Sequence, residues 1–245
     1  MDLIVGVGEI GAGLLKLFTD CGRDVCGFDT NPERCFGTPQ KIDLMHVCSP
    51  FTSTFIKDVE QYFHRWRPRS VVIHSTVKPG TTQVLHDKLP TGNVVYSPIR
   101  GVHTRMLFDL KRYKKFYSSH PSTDESLFQE CFQDDCGLRI ERFSTPLALE
   151  TAKIFIDTSY YGWIIVYGQL LDKLCTKYGL EYAELWKFAE EIHEFLGNRP
   201  KVYVDPQGIG GHCILQNLDL VEDVLPELKD IILTINDETK KRYRR

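Results

Sequence analysis

The 245-residue chain lacks four patterns that would each assign it to a class of proteins. Its 8 cysteines include no C-x-x-C pair, which argues against a zinc site and against the disulfide framework of a secreted protein. No apolar run approaches the length that a bilayer requires, and no charged-then-apolar leader precedes the first strand. The net charge of −3 gives no electrostatic footprint for nucleic acid. We therefore expect a cytoplasmic protein with no metal and with no nucleic-acid or membrane partner.

A glycine-rich turn follows the first apolar run of the sequence. Leu3-Ile4-Val5 leads directly into a G-x-G-x-x-G pattern, and apolar residues at helical spacing follow it. In such a strand, turn and helix, Gly6 permits the turn, Gly8 lets the backbone approach a pyrophosphate, and Gly11 allows close helix packing. The backbone at Ile10 lies in the first turn of the helix, where an anion is favoured. We predict a dinucleotide site at Gly6, Gly8, Ile10 and Gly11.

An acidic residue ends the second apolar run. Val25-Cys26-Gly27-Phe28 is followed by Asp29, close to the spacing at which a carboxylate binds the ribose hydroxyls of NAD. A site for NADP would favour a cation at this position, and the nearest cation, Arg34, lies several residues further on. Asp29 would also suit the start of a turn, but its register with the glycines favours NAD as the cofactor.

Strands and helices then alternate, which predicts a parallel sheet with helices on both faces. The strands end at Ser49-Pro50, at Ser75-Thr76 and at Ser97-Pro98. Ligands of such sheets bind beyond the carboxyl ends of the strands, so Ser49, Pro50 and Thr76 should line the cofactor crevice. We expect an α/β, Rossmann-type doubly wound sheet over residues 1–144.

The pattern changes to helices alone after residue 144. Thr145-Pro146 is a good helix start, and the apolar periodicity continues to Gly179. Further helices are predicted at Tyr182–Leu196 and Asp219–Arg245. These segments predict a smaller all-helical domain over residues 145–245, which could pair with a copy of itself through the 146–179 helix to form a homodimer.

Two groups in this second domain could carry chemistry. Cys213 follows a glycine cluster, whose backbone amides can approach a reacting atom closely because glycine has no Cβ atom. A neighbouring cation would lower the pKa of the thiol and so favour the nucleophilic thiolate. Lys153 and Asp157 lie four residues apart on one predicted helix face. Taken alone, that pair is best explained as a solvated ion pair, and the cysteine could simply pack in a turn.

In their order along the chain, these motifs resemble the UDP-glucose/GDP-mannose dehydrogenases, a family of nucleotide-sugar 6-dehydrogenases. The resemblance implies two oxidations of a sugar primary alcohol by NAD, through a thioester on Cys213. It implies that Lys153 stabilises the developing oxyanion or helps to deprotonate the alcohol, and that Thr76 helps to place a water molecule. The matched segments are Gly6–Gly11, Asp29, Ser75–Val77, Ser97-Pro98, Glu150, Lys153, Asp157, Gly210–Cys213 and Ile235–Glu238.

The sequence departs from the family in several polar positions. Ile99 stands where the family has a glutamate that assists hydrolysis, while Asp157 and Asn217 exchange an amide and a carboxylate. The chain also stops where the family continues into a C-terminal domain that completes the nucleotide-sugar site. By the resemblance, the catalytic group comprises Cys213, Lys153, Asp157, Thr76 and Asn217, and Gly210 and Gly211 lie at the substrate.

Two alternatives fit the same residues. One is a single-step dehydrogenase or reductase of a small hydroxy acid, similar to the β-hydroxyacid dehydrogenases, in which Lys153 is the acid/base and Cys213 is idle. Arg100 and His103 could then bind an anionic substrate, although ordinary surface charge explains them equally well. The other is an NAD-binding protein without turnover.

Overall fold

The computed structural model describes residues 1–196, 208–209, 213–220, 222 and 226–243, and the chain divides into two compact units. The first unit is Met1–Lys153 and the second is Ile154–Arg245. The helix that begins at Pro146 therefore belongs to the sheet-bearing unit, and Lys153 is the last residue of that unit rather than part of the helical one.

The first unit is built on a seven-stranded sheet with the order β2-β1-β3-β4-β5-β6-β7. Strands β1 to β5 are parallel, which confirms the predicted Rossmann-type α/β class. Strand β6 pairs antiparallel with β5, and β7 runs parallel to β6, so the predicted parallel sheet carries one antiparallel pairing at this edge. After β5 the chain re-enters the sheet at the carboxyl end of β5, so β6 runs in the opposite direction to β5. The strands are Asp2–Val5, Val25–Phe28, Leu44–Val47, Ser70–Ile73, Val94–Tyr96, Lys115–Ser119 and Ile140–Arg142.

Helices cover both faces of this sheet, because the central strands are apolar on both sides. One face packs against α2, α3 and α6, and the other packs against α1, α4 and the α5 segment. The helix α5 continues into a π-helical turn, Glu130–Asp135. The bounds are α1 Glu9–Asp20, α2 Phe55–Trp66, α3 Thr81–Lys88, α4 Met106–Arg112, α5 Ser126–Gln129 and α6 Pro146–Ala152.

The segment between β2 and β3 is short and contains a single turn of 3-10 helix, Pro32–Arg34. After this turn the chain folds back onto β2. The backbone N–H of Gly27 donates to Phe36 O at 2.7 Å, and Phe36 N donates to Gly27 O at 2.9 Å. This bridge covers the outer side of β2.

The second unit is helical in its described residues, as predicted. The long predicted helix 146–179 is interrupted, because a π-helical turn at Lys153–Thr158 separates α6 from α7, Ser159–Tyr178. The last helix, α10, begins at Pro226 rather than at Asp219, since proline suits the first helical position. The other helices are α8 Tyr182–Leu196 and α9 Cys213–Leu218.

Three helices of this unit pack around a small core of its own. Ile165 and Val166 of α7 contact Ile209, Leu218 of α9 and Ile232 of α10 in one buried cluster. Among the residues that the structure describes, none of the helices combines the length and the apolar character that crossing a membrane demands.

Candidate functional site

The glycine turn lies at the point where the sheet order changes direction, between β1 and β3. Gly6 has φ +89°, and a Cβ atom there would lie 2.8 Å from Ser49 N, so this contact requires glycine. A Cβ atom on Gly11 would lie 2.0 Å from the carbonyl oxygen of Gly6. These two glycines therefore let the β1 loop, the β3 loop and α1 come together. Such switch points are where ligands of open α/β sheets bind.

Gly8 differs from these two glycines because the space around it is open. A Cβ atom at Gly8 would meet no described atom within 4 Å. Gly8 is also the N-cap of α1 and supplies no side-chain hydrogen bond to the helix. The first N–H groups of a helix have no partner within the helix, so this terminus offers donors and partial positive charge to an anion.

Asp29 lies beside this turn, as the sequence predicted, and it also holds the turn in place. Its Oδ2 accepts a hydrogen bond from Val7 N at 2.8 Å, and its Oδ1 accepts one from Asn31 N at 2.9 Å. The carboxylate is half-buried at the end of β2. Each carboxylate oxygen has a second lone pair, with which it could accept a ribose hydroxyl.

An aromatic wall borders the end of β2. The ring of Phe28 contacts Tyr62 at 5.7 Å and Trp66 at 4.9 Å between centroids, and the guanidinium of Arg65 lies 5.2 Å from the Phe28 ring. Partial burial raises the pKa of Tyr62, and the charge of Asp29 contributes to this rise. A cluster of aromatic rings with one guanidinium against it therefore lies next to the carboxylate.

The carboxyl ends of β3 and β4 are joined by hydrogen bonds. Ser75 Oγ donates to the carbonyl oxygen of Ser49 at 2.5 Å. Ser49 and Thr76 are half-buried, and Pro50 is exposed. The predicted cofactor residues Gly6 and Ser49 are thus brought together with Ser75 at one edge of the sheet. The predicted residues Pro50 and Thr76 are next to Ser49 and Ser75 in sequence.

Glu150 has a structural role that the sequence did not predict. This carboxylate is 1% exposed and accepts hydrogen bonds from Gly80 N at 2.6 Å, Thr82 N at 2.8 Å and Thr82 Oγ1 at 2.6 Å. It caps the N-terminus of α3 from α6. Burial raises its pKa. Lys153 and Asp157 are half-buried, and both lie in the π-helical turn.

The second unit places a buried asparagine under the glycine segment that precedes Cys213. Asn236 on α10 is 1% exposed, and its Oδ1 accepts a hydrogen bond from Ile209 N at 2.6 Å. Gly208 has φ +78°, and a Cβ atom there would lie 2.6 Å from the same oxygen. Cys213 is the first residue of α9, and Asn217 is half-buried on that helix. Gly210, Gly211 and the side chain of Cys213 lie outside the described residues.

Of the two predicted anion-binding residues near β5, Arg100 has partners within the protein. Arg100 donates to the carbonyl oxygen of Lys114 at 2.8 Å, and its guanidinium lies over the Phe116 ring at 4.5 Å. His103 begins a 3-10 turn, and its side chain is outside the described part of the chain. Ile99 is buried in the core.

Sequence reasoning missed a row of buried polar groups beneath the carboxyl edge of the sheet. His46 and His74 are bonded to each other at 3.0 Å, and His74 Nδ1 lies 2.7 Å from Ser97 O. Lys115 Nζ donates to the same carbonyl at 3.1 Å. Burial lowers the pKa of Lys115 to about 7. The signal in the sequence was a histidine within the apolar strand β3; nothing in the sequence marked Lys115.

The turn at the switch point fits a dinucleotide on its own geometry. Gly6 and Gly11 remove the side chains that would fill the turn, Gly8 leaves its outer face open, and Asp29 stands at the end of β2. A pyrophosphate would be held by the N-terminus of α1, and the ribose by Asp29.

No family model matches the chain, and no curated protein matches it. Solved structures match the chain. UDP-D-ManNAc dehydrogenase from Pyrococcus horikoshii is 18% identical, with a TM-score of 0.82 over 98% of this chain and 69% of that one. UDP-N-acetyl-mannosamine dehydrogenase from Staphylococcus aureus is 16% identical, with a TM-score of 0.78 over 97% and 68%.

A smaller dehydrogenase also matches. 3-Hydroxyisobutyrate dehydrogenase from Mycobacterium tuberculosis is 16% identical, with a TM-score of 0.70 over 98% of this chain and 92% of that one. At these identities the likeness establishes the fold, and function must be argued from the site. The chain has the fold of these dehydrogenases.

Proposed function

We propose that this chain is an NAD-dependent dehydrogenase that oxidises the primary alcohol of a nucleotide sugar. The observation that carries the proposal is the glycine turn at the β1/β3 switch point, which is open at Gly8 and held by Asp29. Bound NAD supplies a two-electron acceptor. Gly6, Gly8, Ile10 and Gly11 would hold its pyrophosphate, and Asp29 would hold the adenosine ribose.

The chemistry of the sugar follows from the resemblance of the catalytic residues. Lys153 would stabilise the alkoxide as the alcohol loses its proton. Transfer of a hydride from the alkoxide carbon to NAD would give an aldehyde, and the Cys213 thiolate would add to its carbon. Transfer of a second hydride, from the thiohemiacetal carbon to a second NAD, would give a thioester. Water, placed by Thr76, would break the carbon–sulfur bond and release a carboxylate and the thiol.

The first test is NADH formed per protein molecule when the full chain is offered NAD and a panel of nucleotide sugars. We expect multiple turnovers that Cys213→Ser abolishes and Lys153→Ala reduces strongly. Cys175→Ser is the matched control, because Cys175 is a buried cysteine on α7 of the same unit. A burst of about two equivalents of NADH, one for each oxidation, would mean acylation without hydrolysis, consistent with Ile99 in place of the glutamate. Equal rates for Cys213→Ser and Cys175→Ser would refute the thioester.

A second candidate is a single-step dehydrogenase of a small hydroxy acid. What favours it is Ile99, a buried apolar residue at the position where the nucleotide-sugar family has a glutamate that assists hydrolysis. In that case turnover with a hydroxy acid should depend on Lys153 and be insensitive to Cys213→Ser. NAD binding without turnover of any substrate would support the non-catalytic alternative.

The preference for NAD over NADP rests on Asp29 and can be measured separately. Asp29→Asn keeps an oxygen that accepts from Val7 N but removes the charge that opposes a 2′-phosphate. We expect weaker NAD binding and a smaller NAD/NADP discrimination, measured by titration of each nucleotide. Asp24→Asn, at an exposed position just before β2, is the control. An unchanged discrimination in Asp29→Asn would refute the assignment.

We also propose that two copies pair through α7. Six apolar side chains at heptad-like spacing on this helix are 40% to 61% exposed. Trp163→Glu should therefore shift the protein from dimer to monomer in sedimentation, and a monomeric parent protein at high concentration would refute the pairing. The six residues are Tyr160, Trp163, Tyr167, Leu170, Leu174 and Tyr178.

A further inference from the structure

Three metal-ligand side chains meet inside the first unit, away from the glycine turn. Asp2 opens β1, His46 lies in β3, and Cys131 lies in the π-helical turn that follows α5. Each is 0% exposed. A carboxylate oxygen, a ring nitrogen and the sulfur lie within 4.8 Å of one another. Three separate elements thus bring an oxygen, a nitrogen and a sulfur ligand to one point.

The hydrogen bonds of the two histidines determine which atom of His46 faces this point. His74 Nδ1 lies 2.7 Å from Ser97 O, and a carbonyl oxygen can only accept, so Nδ1 carries the proton. A neutral His74 ring with its proton on Nδ1 has an acceptor at Nε2. His74 Nε2 therefore accepts from His46 Nδ1, at 3.0 Å. The remaining nitrogen, His46 Nε2, presents a lone pair.

The carboxylate of Asp2 presents a second lone pair. Its Oδ2 accepts from Arg23 Nε at 2.6 Å, whereas Oδ1 is buried and has no hydrogen-bond partner among the described residues. His46 Nε2 is likewise buried without such a partner. Two acceptor atoms facing each other in the core without a donor are costly. A positive or donating group between them would remove that cost.

We propose that Asp2, His46 and Cys131 form a site for a zinc-class divalent cation. One carboxylate, one neutral imidazole and one thiolate are ligands that such a cation prefers. The surrounding bonds match those of known metal ligands, in which the second ring nitrogen donates to an acceptor and the carboxylate is itself hydrogen-bonded. Here His74 and Arg23 supply these two contacts. The site ties β1, β3 and the π-helical turn together.

The absence of C-x-x-C pairs in the sequence does not bear on a site of this kind, because each ligand comes from a different element. Cys136 is half-buried, and its thiol bonds to that of Cys131. Either a water molecule or a cation could lie between Asp2 Oδ1 and His46 Nε2. A water molecule would donate to Asp2 and His46 and leave the thiol unused, whereas a cation would bind all three.

The test is binding of Zn²⁺ and Co²⁺ to the full-length protein, purified without chelator and then titrated. We expect one equivalent of metal, and for Co²⁺ a thiolate-to-metal charge-transfer band. Cys131→Ser should lose that band and bind Co²⁺ more weakly by at least the roughly 10–100-fold that loss of an outer-shell partner costs. Asp2→Asn should weaken binding and keep the band.

Cys26→Ser is the matched control, because Cys26 is also 0% exposed but belongs to the core on the opposite face of the sheet. It should bind metal as the parent protein does. No bound metal in the parent protein would overturn the proposal in favour of water. Metal bound without a thiolate band, for example at the stacked rings of His86 and His120, would also overturn it. The parent spectrum decides this even if Cys131→Ser fails to fold.

Discussion

Replacing Lys115 with methionine should change how the stability of the fold depends on pH. The Lys115 side chain opens β6 and points into the core, where its ammonium group contacts Ser97 O and lies 4.7 Å from the centre of the Phe132 ring. Burial lowers its pKa to about 7. Methionine keeps much of the volume of the side chain and removes its titration.

The expected size follows from the difference between the folded and unfolded pKa. In the unfolded chain the lysine keeps its proton up to a pH of about 10.4. Between that pH and the folded pKa of about 7, the unfolded state binds more protons, so the free energy of unfolding rises with pH. The limiting slope is about 1.4 kcal/mol per pH unit. Lys115 is about half-protonated in the folded state near pH 7, which reduces the slope there. The free energy of unfolding therefore rises by about 2 kcal/mol from about pH 7 to about pH 9.

Urea unfolding of the parent protein and Lys115→Met, followed by circular dichroism at several pH values, measures this difference. The stability of Lys115→Met relative to the parent should fall by about 2 kcal/mol from about pH 7 to about pH 9. Lys114→Met is the control, because Lys114 is 49% exposed in an ion pair with Glu141 and should give no such trend. If Lys115→Met and the parent run parallel across this range, Lys115 is charged in the folded state and the reasoning fails.

Three further substitutions test the turn at Gly6, the cap of α3 and the contact beneath Gly208. Gly6→Ala should lower the thermal midpoint more than Gly80→Ala. Both glycines have positive φ, but only a Cβ atom at Gly6 would contact backbone atoms. Equal losses would mean that the positive φ alone, and not the contact, sets the cost. Glu150→Gln places an amide donor against backbone donors and should cost about 1–3 kcal/mol in urea unfolding, and a neutral result would show that the carboxylate is not the cap. Asn236→Ala leaves Ile209 N buried without its acceptor and should cost a similar amount in the same assay, whereas an unchanged stability would contradict this anchoring role.

The sequence was sufficient to predict the strands that carry the site, because their apolar runs are short and end at polar or proline residues. It also predicted that Asp29 and the glycine turn lie together, since G-x-G-x-x-G has a defined geometry after a strand. The reversal at β6 was not predictable, because strand direction depends on where a loop returns in space. The π-helical turn at Lys153–Thr158 was missed because apolar spacing does not distinguish an inserted residue from a regular helix.

The buried polar groups were the least predictable part of the candidate sites. Asp2, Cys131 and Lys115 each look ordinary in their own segment, and their significance arises from neighbours that are far away in sequence. Asn236 was noted as part of a motif, but its role required the position of Ile209 N. A residue pattern within one helix or strand can be recognised in the sequence alone. Contacts between side chains of different elements can be identified only once the fold is known.

The bridge between Gly27 and Phe36 also affects how the protein behaves in concentrated solution. An open sheet presents unpaired backbone groups at both outer strands, and these can recruit a strand from another molecule. At one margin the returning chain satisfies Gly27 on both its N–H and its carbonyl. At the other margin, β7 has three residues, and two of them, Glu141 and Arg142, carry charge. The compact loop after β2 thus protects the sheet from intermolecular strand addition, so Phe36→Pro should promote aggregation.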